Sequence, residues 1–584
     1  MPTDAPDPFY YLSNFERALA WIAERYDDLL SDGEQAFLAA FLHDGARLPK
    51  ASRALLVRML MRKGTLFRAG RLAYGEIGSP VQAAAPLAAL GWVDADADVS
   101  LDELFALATR PELQRAFAAA PAVKGARKAE WLEALRVADP ANAQPRRYSE
   151  WDPATDEVTL RVLVAPLCER FRLMFFGNLH QDWSEFVLSD LGVFQYERVA
   201  FASSSRAFQQ REDVDCYLAL HACREALELT GDEPLDPLLA AVDAIGMQHN
   251  AQHNAWLALR RAKLLFAIGH HAERRHDWDT ALRVYECCAW PGARHRRMRV
   301  LERAGSDEAA LALALQAAAA PESEEEQQRV ARIVPRLQRR LGLAAHRPVS
   351  ARAAQRGVLE LARPPEPLAV EYVVRDHLST EDAPVHYVEN ALINSLFGLL
   401  CWEPVFAAVP GAFFHPFQRG PADLHAPDFR ARRAAQFDAC LAELESGAYR
   451  ATILRHFETK AGLQSPFVFW GMLTPELLTL ALDCLPAVHL KRWFERLLVD
   501  IRANRSGLPD LIRFWPHERR YELIEVKGPG DRLQDNQIRW LAYCVQHDMP
   551  VRVLDVRWTD SADSADRVER ADRVLAGEPD AEAA

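Results

Sequence analysis

"SGLPDLIRFWPHERRYELIEVKGPGD", residues 506–531, sets a Pro-Asp before one apolar run and a Glu-Val-Lys at the end of the next. Residues 510–515 read as a strand, "PHERR" (516–520) as a turn and 521–526 as a second strand. Side chains alternate faces along a strand, so Glu525 and Lys527 share one face while Ile524 and Val526 take the other. A hairpin closed by that turn brings Asp510 opposite the end that carries Glu525. Two carboxylates then converge beside an ammonium, which is the chemistry of a metal-dependent phosphodiesterase. Mg²⁺ prefers carboxylate and water oxygens, so Asp510 and Glu525 are candidate ligands, helped by the carbonyl of Val526. Lys527 would orient the attacking water or stabilise the developing oxyanion. The bland alternative is a salt-bridged surface hairpin.

The rest of the chain sets the context. A length of 584 residues is too great for one core and suggests three or four domains. Contents of 49% hydrophobic and 26% charged residues suit a soluble globular protein. The nine cysteines form no CxxC pair and no secretory leader is evident, so neither a zinc ribbon nor a disulfide framework is expected. The expected location is cytoplasmic, associated with the nucleoid. No apolar run is long enough to span a membrane. A net charge of −13 argues against nonspecific nucleic-acid affinity over the whole surface but leaves room for a local basic channel.

Residues 1–95 read as an N-terminal domain with helical segments. Within them Leu55, Leu56, Met59 and Leu60 recur at helical spacing, with Arg58, Arg62, Lys63 and Arg68 around them. That basic segment is either a phosphate-contacting surface or a solvated helix face. In residues 96–145, Ser100 looks like a helix N-cap, and two short helices flank the basic stretch Lys124–Lys128, an arrangement similar to a SAP-type DNA-binding hairpin. Residues 150–365 carry helical stripes such as Trp278, Ala281, Leu282 and Tyr285, compatible with a tetratricopeptide-like α-solenoid. His249 and His253 lie at i, i+4 without a third ligand and read as a structural or surface pair. Residues 370–560 hold the nuclease-like core, and 561–584 read as a disordered tail. Residues 383–406 read as one helix with Val385, Val388, Leu392, Leu396 and Leu399 in its stripe. Glu389 adjoins that stripe as either a capped core acid or a ligand.

The spacing Pro-Asp, fourteen residues, Glu-x-Lys resembles the PD-(D/E)xK nuclease superfamily, and "EVKGPGDRLQDNQIRWL" (525–541) resembles its VRR-NUC subgroup, with Gln537 and Trp540 on the following helix. The stretch "VENALINSLFGLLCWEPVF" (388–406) and the segment Pro416–Leu424 resemble the Fanconi-associated nuclease family of the bacterial type. The implied fold is multidomain and mainly α: an N-terminal helical DNA-binding region, a SAP-like hairpin and a tetratricopeptide-like α-solenoid, with a C-terminal α/β PD-(D/E)xK core. The resemblance implies a structure-specific DNA nuclease of DNA repair, including interstrand crosslink repair, that cuts 5′ flaps and proceeds 5′→3′ with Mg²⁺ or Mn²⁺. It makes Glu389, Asp510, Glu525 and Val526 metal-binding, Lys527 catalytic with Asp510 and Glu525, and Gln537 a supporting position. It further implies that Arg502 and Arg505 hold a 5′-terminal phosphate. Where some relatives are basic before that glutamine, this chain has Asn536. Glu389 and Asp510 lie 121 residues apart, and the interval reads as inserted helices. In the family such an insert blocks dimerisation, which favours a monomeric flap nuclease with DNA as partner over a dimeric four-way-junction resolvase. A non-catalytic solenoid scaffold is the remaining alternative.

Overall fold

A computed structural model describes residues 7–43, 45, 47–118, 127–183, 194–248, 254–344 and 353–559. His249, His253, Lys124 and the tail expected over 561–584 lie outside the described residues. The chain divides into two compact units, the first formed by residues 1–195 with 200–219 and 414–417, the second by 196–199 with 220–413 and 418–584.

In the first unit, strands β1 (Leu66–Arg68), β2 (Val93–Ala95) and β3 (Thr159–Val162) form an antiparallel sheet in the order β1-β3-β2. Helices surround it, beginning with Tyr10–Tyr26 and including Lys50–Leu60, whose Leu55, Leu56 and Met59 are fully buried. Ser100 caps the Leu101–Leu107 helix as expected: its Oγ accepts the Glu103 N–H and the Glu103 carboxylate accepts the Ser100 N–H, 2.9 Å away.

Two of the arginines expected to face DNA are instead structural. Arg68 is 8% exposed. Its guanidinium donates to both Glu112 oxygens at 2.9 Å and to Glu157 at 3.0 Å. Arg58 bonds Glu76 at 2.7 Å and stacks over Tyr11, 3.7 Å from the ring centroid. A guanidinium taken out of water needs such partners, and acids on neighbouring elements supply them. Arg62 and Lys63 are exposed on the turn after the helix.

The second unit opens with the solenoid. Antiparallel helices Ala255–Arg274 and Trp278–Cys287 pack so closely that a Cβ on Gly269 would lie 2.8 Å from the Tyr285 ring. Ala281 and Tyr285 of the expected stripe are buried, Val284 joins them, and Trp278 stays partly exposed.

The C-terminal sheet contains β4 (Gln355–Ala362), β5 (Val385–Tyr387), β6 (Leu511–Trp515), β7 (Arg520–Lys527) and β8 (Val551–Thr559), in the order β4-β8-β7-β6-β5. β6 and β7 form the expected hairpin with Leu511 opposite Ile524, which sets Asp510 opposite Glu525. Arg519 closes the turn in the left-handed region at φ 51°. β8 runs parallel to β7 after the crossover helix Asp535–Gln546, giving the expected β-β-α-β order. Leu511, Ile524, Val526, Leu554 and Val556 make the core beneath one face.

Two expectations are corrected here. β4 pairs in parallel with β8 over its whole length, so residues 355–362 belong to this sheet and not to the solenoid. Residues 383–391 are not helical: Val385–Tyr387 is an edge strand on β6, a turn follows, and the helix begins at Leu392. Val385 and Val388 are buried all the same, by sheet packing rather than as a helical stripe. The interval before Asp510 contains the helices Ala434–Ser446, Tyr449–Thr459, Pro475–Cys484 and Ala487–Val499, as the composition suggested.

Candidate active site

β7 is the third of five strands, and every residue from Leu523 to Lys527 is buried. Its period-2 alternation therefore places Glu525 and Lys527 on a covered face, not a wet one. Glu525 is fully buried, Asp510 5% exposed and Lys527 8%. Asp510 Oδ2 accepts the Val526 N–H at 2.8 Å, which pins the end of the hairpin. Lys527 Nζ lies 2.7 Å from Glu525 Oε1, close enough for an ion pair. Apart from that ion pair, neither Glu525 oxygen has a hydrogen-bond partner among the described residues.

Burial and mutual repulsion act together on the two acids. Glu525 is pushed above the usual carboxylate range by desolvation and then by Asp510, against the pull of Lys527. Asp510 is raised by desolvation, and the charges of Glu389 and Glu371 add to it, while the Val526 N–H and Lys527 oppose. A buried, unbonded carboxylate beside a second acid is costly with only one ammonium for compensation. A divalent cation is the natural relief, so this donor set fits one.

Glu389 sits on the turn after β5. Its Oε2 accepts the Tyr387 hydroxyl at 2.5 Å and its Oε1 the Asn390 amide at 3.1 Å. Its charge is felt by Asp510 and Glu525. Even so, no three His, Cys, Asp or Glu side chains among the described residues converge on one ligand position. The turn is tied to the Pro-Asp segment by backbone geometry. Asn390, at φ 52°, accepts the Leu508 N–H at 3.1 Å, and Val388 N–H donates to the Asp510 carbonyl at 2.8 Å. Buried Asn394 donates to the Arg505 carbonyl at 2.8 Å. From the other side Gly507, at φ 91°, lies so close to Asn536 that a Cβ would stand 2.8 Å from the amide. Asn536 thus abuts the Pro-Asp loop. Gln537 is buried, but its Oε1 accepts the Gln534 N–H at 2.9 Å and caps its own helix.

Arg505 donates to the Pro466 carbonyl at 2.8 Å and Arg502 is exposed. His425 is held below its ordinary value by desolvation and by both arginines, and Lys263 of the solenoid by desolvation and by Arg260, Arg224 and Arg502. The charge of Arg502 thus acts on both His425 and Lys263. Two charges that act on or beside the candidate residues carry no signal in the sequence. Glu371, on the Val370–Leu378 helix, lies in "VEYVV", which carries no motif. Lys263 lies in a helix that reads only as solenoid. The phrase "PADL" proves structural: buried Asp423 takes Arg433 at 2.8 and 2.9 Å and Arg432 at 2.9 Å.

Family models match as the FAN1 HTH domain over residues 9–94, the Fanconi anemia-associated nuclease SAP domain over 99–151 and the VRR-NUC domain over 444–558. The Fanconi-associated nuclease 1 homolog of Pseudomonas aeruginosa is 55% identical over 553 residues, covering 95% of this chain and 96% of that protein. The Arabidopsis thaliana homolog is 24% identical, covering 94% of this chain and 67% of that one. A solved structure described as paFAN1 bound to 2nt 5′flap DNA with gap superposes with a TM-score of 0.83 at 54% identity, covering 95% of this chain and all of that one. A second, with a 1nt 5′flap, gives 0.82.

Proposed function

The chain belongs to the Fanconi-associated nuclease family, and from that premise we propose that its second unit cuts the DNA backbone at 5′ flaps and proceeds 5′→3′, in DNA repair that includes interstrand crosslinks. It is a structure-specific DNA nuclease, and the VRR-NUC type implies a divalent metal. The observation that carries the residue assignment is the buried Glu525 carboxylate, which has Lys527 alone as a partner among the described residues and stands beside Asp510. Asp510, Glu525, the Val526 carbonyl and Glu389 would hold Mg²⁺ or Mn²⁺, with Glu371 as a further acid at the rim. Bound there, the ion would neutralise charge on the scissile phosphate and lower the pKa of an attacking water.

The chain's own groups set up the rest. The Val526 N–H fixes one Asp510 oxygen and leaves the other for a ligand. Lys527 keeps its ammonium on the Glu525 side of the site, where it can orient the water or meet the developing oxyanion. Gln537 supports the site by capping the helix that abuts the Pro-Asp loop. Arg502 and Arg505, with Lys263 and Arg260 nearby, would receive the 5′-terminal phosphate as charge-assisted donors. Arg62 and Lys63 remain candidate duplex contacts, whereas Arg58 and Arg68 do not. The inserted helices favour a monomer.

Raised carboxyls must lose protons to bind metal, so apparent Mn²⁺ affinity is expected to rise with pH and level off above the higher of the two values. Calorimetric titration in two buffers of different ionisation enthalpy checks this through the protons released; none released would contradict it. For the phosphate pocket, Arg502→Ala with Arg505→Ala should lower kcat/KM on 5′-phosphorylated flaps about tenfold or more, the size of one or two lost charge-assisted bonds. Flaps with a 5′-hydroxyl should change little. Equal loss on both would remove the pocket from the reading. Labelled 5′-flap, 3′-flap and four-way-junction DNA, each with Mn²⁺ or EDTA, separate flap nuclease, resolvase and scaffold.

A further inference from the structure

Beside the metal site, at the β5 edge of the sheet, lies a solvent-open cavity of about 400 Å³. Tyr372 and Arg375 line it from the Val370–Leu378 helix, His386 and Tyr387 from β5, and Met472 from the segment leading into the Pro475–Cys484 helix. The rings of Tyr372 and Tyr387 stand 5.2 Å apart at 40°. The Arg375 guanidinium lies 4.9 Å over Tyr372 and is held by Asp376 at 2.7 Å. Burial and the Arg375 charge keep His386 below its ordinary value. The cavity is thus walled by aromatic faces, one flexible thioether and a stacked guanidinium. Its wall residue Tyr387 donates its hydroxyl to Glu389.

We propose that this cavity holds the base of a nucleotide next to the scissile phosphate, unstacked from its neighbours and seated against Tyr372 and Tyr387. Aromatic and guanidinium planes accept any base, because every base offers a π-face. Such a pocket suits a nuclease that reads structure rather than sequence. A flap junction supplies single-stranded or weakly stacked nucleotides at low cost of unstacking. The Tyr387 hydroxyl connects the pocket to the acid that the site would use for metal. The inference rests on the metal-site assignment above, and its test separates the two.

The probe is 5′-flap DNA carrying 2-aminopurine at successive positions on either side of the cut, bound to the full chain in EDTA. One position should lose fluorescence on binding, several-fold more than its neighbours. Tyr372→Ala should abolish that loss, Tyr372→Phe should keep it, and Met472→Trp, which enlarges a side chain lining the cavity, should abolish it without removing packing. In Mn²⁺, an abasic nucleotide at the same position should lower wild-type kcat/KM about tenfold, the size of one base–aromatic stack. It should lower that of Tyr372→Ala no further. An even signal along the strand, a quench that survives both Tyr372→Ala and Met472→Trp, or an abasic substrate cut at full rate overturns the pocket. Asp510→Ala should keep the quench and lose cleavage; if it cuts normally, the metal-site reading fails instead.

Discussion

Asp510→Ala is expected to lower single-turnover cleavage of a 5′-flap substrate by at least about a thousandfold, the scale of losing a preorganised electrostatic group. DNA affinity should stay within about threefold, because phosphate contacts elsewhere dominate binding. The carboxylate has two jobs in the structure, accepting the Val526 N–H and facing Glu525 across the hairpin. Asp510→Asn separates them. An amide oxygen can still accept the Val526 N–H, so the hairpin end survives, yet the charge that would hold a divalent ion is gone. Both variants should be inactive in Mg²⁺ and in Mn²⁺, and Asn should melt within about 1 kcal/mol of wild type. Cleavage by both at near the normal rate would sink the assignment of this hairpin as the active centre.

Arg68→Ala is expected to cost the first unit about 3–5 kcal/mol, since it strands two acids where one buried cation had served them. Arg68 is bidentate to Glu112 and also reaches Glu157, a geometry that a lysine cannot reproduce, so Arg68→Lys should recover little. The pH dependence has a definite sign. Hydrogen bonds from Arg68, foremost among several causes, hold the Glu112 carboxyl down to about 2 from its ordinary 4.5. A depressed carboxyl stabilises the fold fully above the unfolded value and loses that contribution as pH falls towards the folded one. Urea unfolding of wild type should therefore weaken between pH 4.5 and 2, and Arg68→Ala should show a flatter decline over that window. A variant as stable as wild type at pH 7 would return Arg68 to the list of candidate phosphate contacts.

The hairpin was legible in the sequence because everything that fixes it is local. Two runs of strand period, a turn opened by Pro516 and a strand that ends in charge leave one register in which Asp510 meets Glu525. What depends on distant partners was not legible. β4 is mostly exposed and its partner strand begins nearly two hundred residues later, so its alternation alone could not place it in the sheet. Val385 and Val388 fit a helical stripe equally well, and only the pairing with β6 decides for a strand. Arg58 and Arg68 looked like a DNA-facing set because Glu76, Glu112 and Glu157, which neutralise them, lie on other elements. Glu371 carries a charge that Asp510 feels, but a lone acid in "VEYVV" has no spacing to betray it.

The register of β6 on β7 and the three-residue pairing of β5 also imply an asymmetry in how this gene can change length. Glu389 follows a docked edge strand, so the stretch between Glu389 and Asp510 closes a loop whose entropy grows only with the logarithm of its size. Insertions of dozens of codons at the turn between the helices Ala434–Ser446 and Tyr449–Thr459 should leave the geometry of the acids untouched. One codon lost between Trp515 and Tyr521 does the reverse. A slip of a single residue in a period-2 ladder would turn Glu525 and Lys527 to the opposite side of the sheet, so the shortest deletion in the domain is the one that ends its chemistry.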